Sequence, residues 1–164
     1  MEQLKNVNEV AAYEKNGKQK EEFFQYIVIK LGEEQYGIDI RYIDNIVRMQ
    51  SITRVPKVPA YLKGVINLRG EIIPVVSIRL KMGLPADEYG KATRIIILKT
   101  EASGSLGIIV DEVREVVTLG ESNIDKVPHD GKDGQTSFIN GIGKNGNDLI
   151  SLLDLNSISL EENL

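Results

Sequence analysis

Gly37-Ile38-Asp39-Ile40, followed by Ile43, Ile46 and Val47, recurs with identical spacing as Gly107-Ile108-Ile109-Val110, followed by Val113, Val116 and Val117. Two further blocks repeat in the same order. Ile52-Thr53-Arg54-Val55-Pro56 is echoed by Ile124-Asp125-Lys126-Val127-Pro128, and Glu71-Ile72-Ile73-Pro74-Val75-Val76-Ser77-Ile78 by Asp148-Leu149-Ile150-Ser151-Leu152-Leu153-Asp154-Leu155. A strand-like run precedes each set, Gln25 to Leu31 in the first half and Thr93 to Lys99 in the second. Aligned blocks in the same order argue for an internal duplication.

The repeated unit is rich in β-branched residues. Val and Ile make up 35 of the 164 residues, and such side chains pack well on pleated surfaces. Short strands are predicted near residues 23 to 31, 35 to 40, 45 to 48, 64 to 68 and 71 to 77, and again near 93 to 100, 105 to 111, 114 to 118, 138 to 143 and 148 to 153. Five strands per half suggest a small barrel, because closure removes exposed edges, and two packed barrels bury more apolar area than either alone. The expected fold is therefore mainly β: two tandem five-stranded barrels with short helices, packed as one unit. Asn145-Gly146 predicts a type I′ hairpin turn, with Arg69-Gly70 in the equivalent loop. Ser77 and Asp154 are expected to cap short helices, and Gly83 to stop the first. Residues 1–21, rich in Glu, Lys, Asn and Gln, read as a flexible arm, residues 22–160 as the folded part and residues 161–164 as a tail.

Composition excludes much chemistry. Twenty Lys and Arg against 24 Asp and Glu give a net charge of −4, which lacks the basic footprint that nucleic acid requires. With no cysteine there are no disulfides, thiolate metal sites or thiol nucleophiles, and with His129 alone most histidine-based catalysis fails. The N-terminus has no secretory signal pattern and no apolar run is long enough to span a bilayer, so a cytoplasmic protein without direct membrane insertion is expected. Gly143-Lys144 is followed by Asn145 and lacks the upstream glycine of a phosphate cradle. Ser105 has no nucleophile elbow around it. The run His129-Asp130-Gly131-Lys132-Asp133-Gly134 reads as a polar loop rather than a metal site, and the adjacent Asp111 and Glu112 would face opposite sides of a strand. No catalytic residues, metal or cofactor are expected, and the default shifts to recognition.

The segment Val58-Pro59-Ala60-Tyr61-Leu62-Lys63-Gly64-Val65-Ile66-Asn67-Leu68-Arg69-Gly70-Glu71-Ile72-Ile73-Pro74-Val75-Val76 closely resembles the signature of the bacterial chemotaxis coupling protein family, CheW. Tyr36-Gly37-Ile38-Asp39-Ile40, Gly107-Ile108-Ile109-Val110-Asp111 and Gly141-Ile142-Gly143 extend the resemblance over nearly all of residues 22–160. It implies Src-homology-3-like barrels and a non-catalytic adaptor. Its partners would be the cytoplasmic tip of methyl-accepting chemotaxis receptors and the regulatory domain of the histidine kinase CheA, with recruitment to membrane receptor arrays through them. On the same resemblance Arg69 would contact the receptor, with Gly64 and Val65 in the same signature, whereas Ile40 and Ile43 would face the kinase. The chain departs from the usual family pattern at Asn45, where Glu is common, and at Ser77, where Asp is common. A detached regulatory module of a CheA-type kinase is the alternative within the fold. A small barrel binding oligonucleotides or saccharides is the alternative outside it, disfavoured by 5% aromatic residues and the acidic charge.

Overall fold

The computed structural model describes residues 20–100, 104–127 and 138–158. Eleven strands are named among them: β1 (Phe23–Leu31), β2 (Glu34–Asp39), β3 (Ile43–Arg48), β4 (Leu62–Leu68), β5 (Glu71–Ser77), β6 (Arg94–Thr100), β7 (Gly104–Val110), β8 (Glu112–Gly120), β9 (Ile124–Lys126), β10 (Ile139–Asn145) and β11 (Asp148–Leu153). One short helix, α1 (Ile78–Lys81), follows β5. The strands form a six-stranded sheet ordered β8-β1-β2-β11-β10-β9 and a five-stranded sheet ordered β3-β6-β7-β5-β4.

Two small β units are present, as the duplication implied, but neither is made from one contiguous half. The β1–β2 hairpin belongs to the sheet completed by β8 to β11, and the β6–β7 hairpin to the sheet completed by β3 to β5. Each repeat thus gives its first hairpin to the other. The junctions are parallel pairings, β2 with β11 and β7 with β5, and the repeated glycines sit on them: Gly37 beside Leu152, Gly107 beside Val75. A Cβ at Gly37 would stand 2.9 Å from the Leu152 side chain, and one at Gly107 would stand 3.0 Å from that of Ile95. The motif that reveals the repeat is the point where the repeats interlock.

The repeat extends to its irregularities. β3 shifts register against β6 between Ile43 and Asn45, and β8 shifts against β1 at the matching place, after Val113. Likewise β4 shifts against β5 between Leu62 and Gly64, and β10 against β11 between Ile139 and Gly141. Bulges of this kind bend a sheet.

Neither ladder closes through hydrogen bonds between named strands, yet both sheets must curl. β8 and β9 stand on opposite edges of the six-stranded sheet, and only the 3₁₀ turn Glu121–Asn123 joins them. That linker reaches about 14 Å at most, whereas a flat sheet would part those strands by about 24 Å. In the other sheet the residues after β3 reach the far edge in the same way, where Thr53 exchanges two backbone hydrogen bonds of 2.8 Å with Val65 of β4.

Three cores result. One lies between the sheets and contains Ile29, Ile38, Val76, Ile96, Leu98, Leu106 and Ile108. A second fills the five-stranded unit with Ile66, Ile73, Val75, Ile95, Ile97 and Ile109, and a third fills the six-stranded unit with Val28, Val117, Leu119, Ile150 and Leu152. The unbroken run Ile95-Ile96-Ile97-Leu98 follows from this, since successive side chains of β6 enter different cores and both faces are buried. Ile38, Ile108, Val75 and Leu152, from the repeated blocks, are all buried.

The caps are also in place. The Ser77 hydroxyl accepts the Leu80 N–H at 3.1 Å, Asp154 accepts the Asn156 N–H at 3.1 Å, and Gly83 has φ +77° just past α1. The second hairpin turn differs from its expected form. Asn145 pairs with Asp148, so the turn residues are Gly146 and Asn147, and only Gly146 has a positive φ. The first turn has the φ signs of type I′, with Arg69 at +54° and Gly70 at +85°. Residues 1–19 of the expected arm, His129, Asp130, Asp133 and residues 161–164 lie outside the described residues. Glu21 is described, and its carboxylate accepts hydrogen bonds from the Ser122 N–H, at 2.8 Å, and from the Ser122 hydroxyl.

Candidate functional site

The β4–β5 hairpin is a platform built around an unfavourable backbone choice. A non-glycine residue in the left-handed region costs about 1–2 kcal/mol, and the turn imposes that on Arg69. The conformation is held locally: the Asn67 side-chain oxygen accepts the Gly70 N–H at 3.0 Å, and Leu68 pairs with Glu71 to close the ladder. The Arg69 side chain is exposed. Ile72, one strand residue past the turn and its neighbouring Glu71, is 60% exposed while Ile73 beside it is buried, so an apolar side chain accompanies the cation on the outer face. Leu149 is the repeat equivalent of Ile72 and is 63% exposed. Sequence reasoning missed both. The available signal was an aliphatic residue on the outward phase of each strand, Ile72 before Ile73 and Leu149 before Ile150.

Gly64 and Val65 occupy the same strand but do different work. Gly64 is buried, has φ +143°, and a Cβ there would collide with the Thr53 carbonyl oxygen and come within 2.8 Å of Ile52 Cγ2. Its missing side chain lets residues 52 and 53 lie against β4. Val65 is half-buried and holds both backbone bonds to Thr53.

Ile40 and Ile43 lie where the chain passes from the six-stranded to the five-stranded sheet. Ile40 opens the 3₁₀ turn Ile40–Tyr42, whose N-cap Asp39 accepts the Arg41 N–H at 2.9 Å and also pairs with the Arg41 guanidinium at 2.7 Å. Ile40 is half-buried and belongs to no hydrophobic cluster of the described residues, whereas Ile43 packs against the core between the sheets. Tyr42 between them is 42% exposed, with the Arg41 guanidinium 5.8 Å from its ring centre. Following the ladder from Asn45 through Ile97, Gly107 and Val75 reaches Gly64, so Asn45 and Gly64 stand at one height on the two edges of the curled sheet. Asn45 turns its side-chain oxygen to the N–H of Ile46, at 2.8 Å, within the bulge of β3. Ser77 is wholly buried, and its hydroxyl donates to the carboxylate of Asp87.

No group of three potential metal-ligating side chains occurs among the described residues, and none of their helices is long and apolar enough to cross a membrane. What the arrangement offers is surface: an exposed cation on a fixed turn, the exposed Ile72 three residues on, and a buried glycine earlier in the same hairpin.

The CheW-like domain family matches residues 25–162. The Chemotaxis protein CheW of Helicobacter pylori is 36% identical over 138 residues, covering 84% of this chain and 82% of that protein. The Chemotaxis protein CheW of Bacillus subtilis is 36% identical over 132 residues, 80% of this chain and 84% of that one. The crystal structure of the scaffolding protein TtCheW from Thermoanaerobacter tengcongensis superposes with a TM-score of 0.73 at 36% identity, covering 80% of this chain and 88% of that one. By its sequence, its paired β units and its hairpin signature, the chain belongs to the CheW-like domain family.

Proposed function

We propose that this chain joins the cytoplasmic tip of methyl-accepting chemotaxis receptors to the regulatory domain of the histidine kinase CheA, and is drawn to membrane receptor arrays through those partners from the cytoplasm. Membership of the CheW-like family makes it a non-catalytic chemotaxis adaptor. The observation that carries the finer reading is the exposed Arg69 in a left-handed turn, because backbone strain retained at an exposed tip points to a use for the side chain held there. Arg69 is the receptor contact, Val65 extends the contact four residues earlier on the same hairpin, and the buried Gly64 sets the geometry of the strand. Ile40 and Ile43 form the kinase face together with Tyr42. An interface centred on an arginine and a few aliphatics fits the usual anchors of protein contacts.

The test is reconstitution from three purified components: this chain, a receptor cytoplasmic fragment and the CheA regulatory domain. Analytical ultracentrifugation should show binary complexes with each and one ternary complex containing all three. Binding to only one of them, or mutually exclusive binding, would reject the coupling role.

A further inference from the structure

The connection between β3 and β4 encloses an open groove of about 810 Å³. Ile52, Val55, Val58 and Leu62 set an apolar patch in a mainly polar lining, and Arg54, Lys57 and Lys63 give it three cations. No Asp or Glu lines it, in a chain where acids outnumber bases 24 to 20. None of the three cations forms an ion pair among the described residues. Lys57 is, with Arg69, one of two non-glycine residues with positive φ among the described residues, at +62°. The groove adjoins Gly64, which follows Lys63 and packs on Ile52, but it stands apart from Arg69, about 20 Å further along an extended chain.

We propose that this groove docks an acidic segment of a protein partner that carries an aliphatic anchor. Unpaired positive charge in an otherwise acidic chain complements a negatively charged segment and steers its approach. The patch of Ile52, Val55, Val58 and Leu62 within it gives an aliphatic side chain a place to shed water. These two requirements together select an acidic peptide over a polyanion. Nucleic acid and anionic lipid surfaces need broad basic patches, and three cations on a chain of charge −4 do not supply one. Pro56 and Pro59 in the wall carry no N–H, so recognition runs through side chains rather than through an added β-strand. The site borders Gly64 and Val65 but is read through Arg54, Lys57 and Lys63, none of which the receptor and kinase contacts proposed above use.

The experiment uses the full chain and fluorescently labelled synthetic peptides read by anisotropy. The probe alternates glutamate with leucine; one control replaces glutamate by glutamine, another replaces leucine by serine. The glutamate–leucine peptide should bind, weaken as salt is raised, and exceed both controls by about tenfold. The combined substitution Arg54→Glu, Lys57→Glu and Lys63→Glu should reduce its binding by about tenfold or more with the melting temperature unchanged. Should that variant unfold, Arg54→Gln alone, on an exposed side chain, should still weaken binding by about threefold. Absence of peptide binding, equal affinity for the glutamate and glutamine peptides, or tighter binding of heparin or phosphatidylserine vesicles than of the peptide would overturn the proposal.

Discussion

The Arg79 guanidinium grips the Asp111 carboxylate with two hydrogen bonds, Nε to Oδ1 at 3.0 Å and Nη2 to Oδ2 at 2.5 Å. Asp111 is the single residue between β7 and β8, where the chain passes from the five-stranded to the six-stranded sheet. Its Oδ2 also accepts the Gly32 N–H of the β1–β2 turn at 2.7 Å, and its own N–H reaches the Lys30 carbonyl at 3.1 Å. Arg79, on α1 after β5, adds a bond to the Pro85 carbonyl at 3.2 Å. One ion pair therefore ties together the two sheets, α1 and the β1–β2 turn. A fork of N–H donors meeting a carboxylate head-on is the geometry in which such pairs are strongest.

Breaking this pair should cost more than a surface salt bridge. Side-chain exposures of 16% for Arg79 and 27% for Asp111 place it between a surface pair and a fully buried one. Arg79→Met or Asp111→Asn is expected to lower stability by about 2 kcal/mol in urea unfolding, because each leaves the partner partly buried and unpaired. A loss below about 0.5 kcal/mol for both would reduce the clamp to an ornament of the fold.

The same pair sets an acid limit. Burial pushes the Asp111 carboxyl up, but the Arg79 hydrogen bonds, the Gly32 N–H and the charges of Arg79 and Lys30 outweigh it, so the group ends below its ordinary range. A carboxyl depressed on folding contributes stability that is fully present above its unfolded pKa of about 3.9 and is lost as the pH falls through its folded value. The stability difference between the parent and Asp111→Asn should therefore stay constant from neutrality to about pH 5 and shrink below about pH 4. A difference that stays the same into strong acid would show that the carboxylate charge is not what holds the junction.

The sequence made the duplication and the strands legible because both are written in local pattern: alternation, turn glycines, and the unbroken Ile95 to Leu98 run. It did not reveal the exchange of hairpins. β1 and β6 are equivalent in the repeat, so pairing within or between halves leaves the same local signature, and only the three-dimensional placement of Gly37 against Leu152 decides it. β9 escaped because three residues carry too little pattern, and the Arg79–Asp111 pair because the partners are 32 positions apart. In the candidate site Arg69 was singled out through the resemblance alone; the structure adds that it is exposed on a positive-φ turn. Gly64 was legible as a motif position but not as a buried contact, since no sequence pattern announces that Thr53 lies on it.

That contact predicts a graded pair of glycine substitutions. Gly64→Ala drives a Cβ into the Thr53 carbonyl at a φ of +143°, and should cost about 3 kcal/mol or more. Gly141 is its repeat equivalent and faces the Asp125 carbonyl, but its Cβ would stand 3.3 Å away and its φ is not positive, so Gly141→Ala should cost about 1 kcal/mol. Thermal denaturation of both variants checks the order. Equal losses would show that the close approach at Gly64 is not the limiting contact.

Arg69 allows function and stability to be pulled in opposite directions. Its φ of +54° suits glycine better than any residue with a Cβ, so Arg69→Gly should leave the fold as stable as the parent or raise stability by about 1 kcal/mol, while Arg69→Ala keeps the strain. Both variants lose the guanidinium. Binding to a receptor cytoplasmic fragment should therefore fall in both, by about 1 kcal/mol if Arg69 stands at the rim of the contact and by more than about 2 kcal/mol if it stands at the centre. Binding to the CheA regulatory domain should be kept, because Ile40, Tyr42 and Ile43 belong to the crossover into the other edge strand of the sheet. Calorimetric titrations with the two partners, paired with melting curves, decide the matter. An undiminished receptor affinity, or equal losses toward receptor and kinase in well-folded variants, would remove Arg69 from the receptor face.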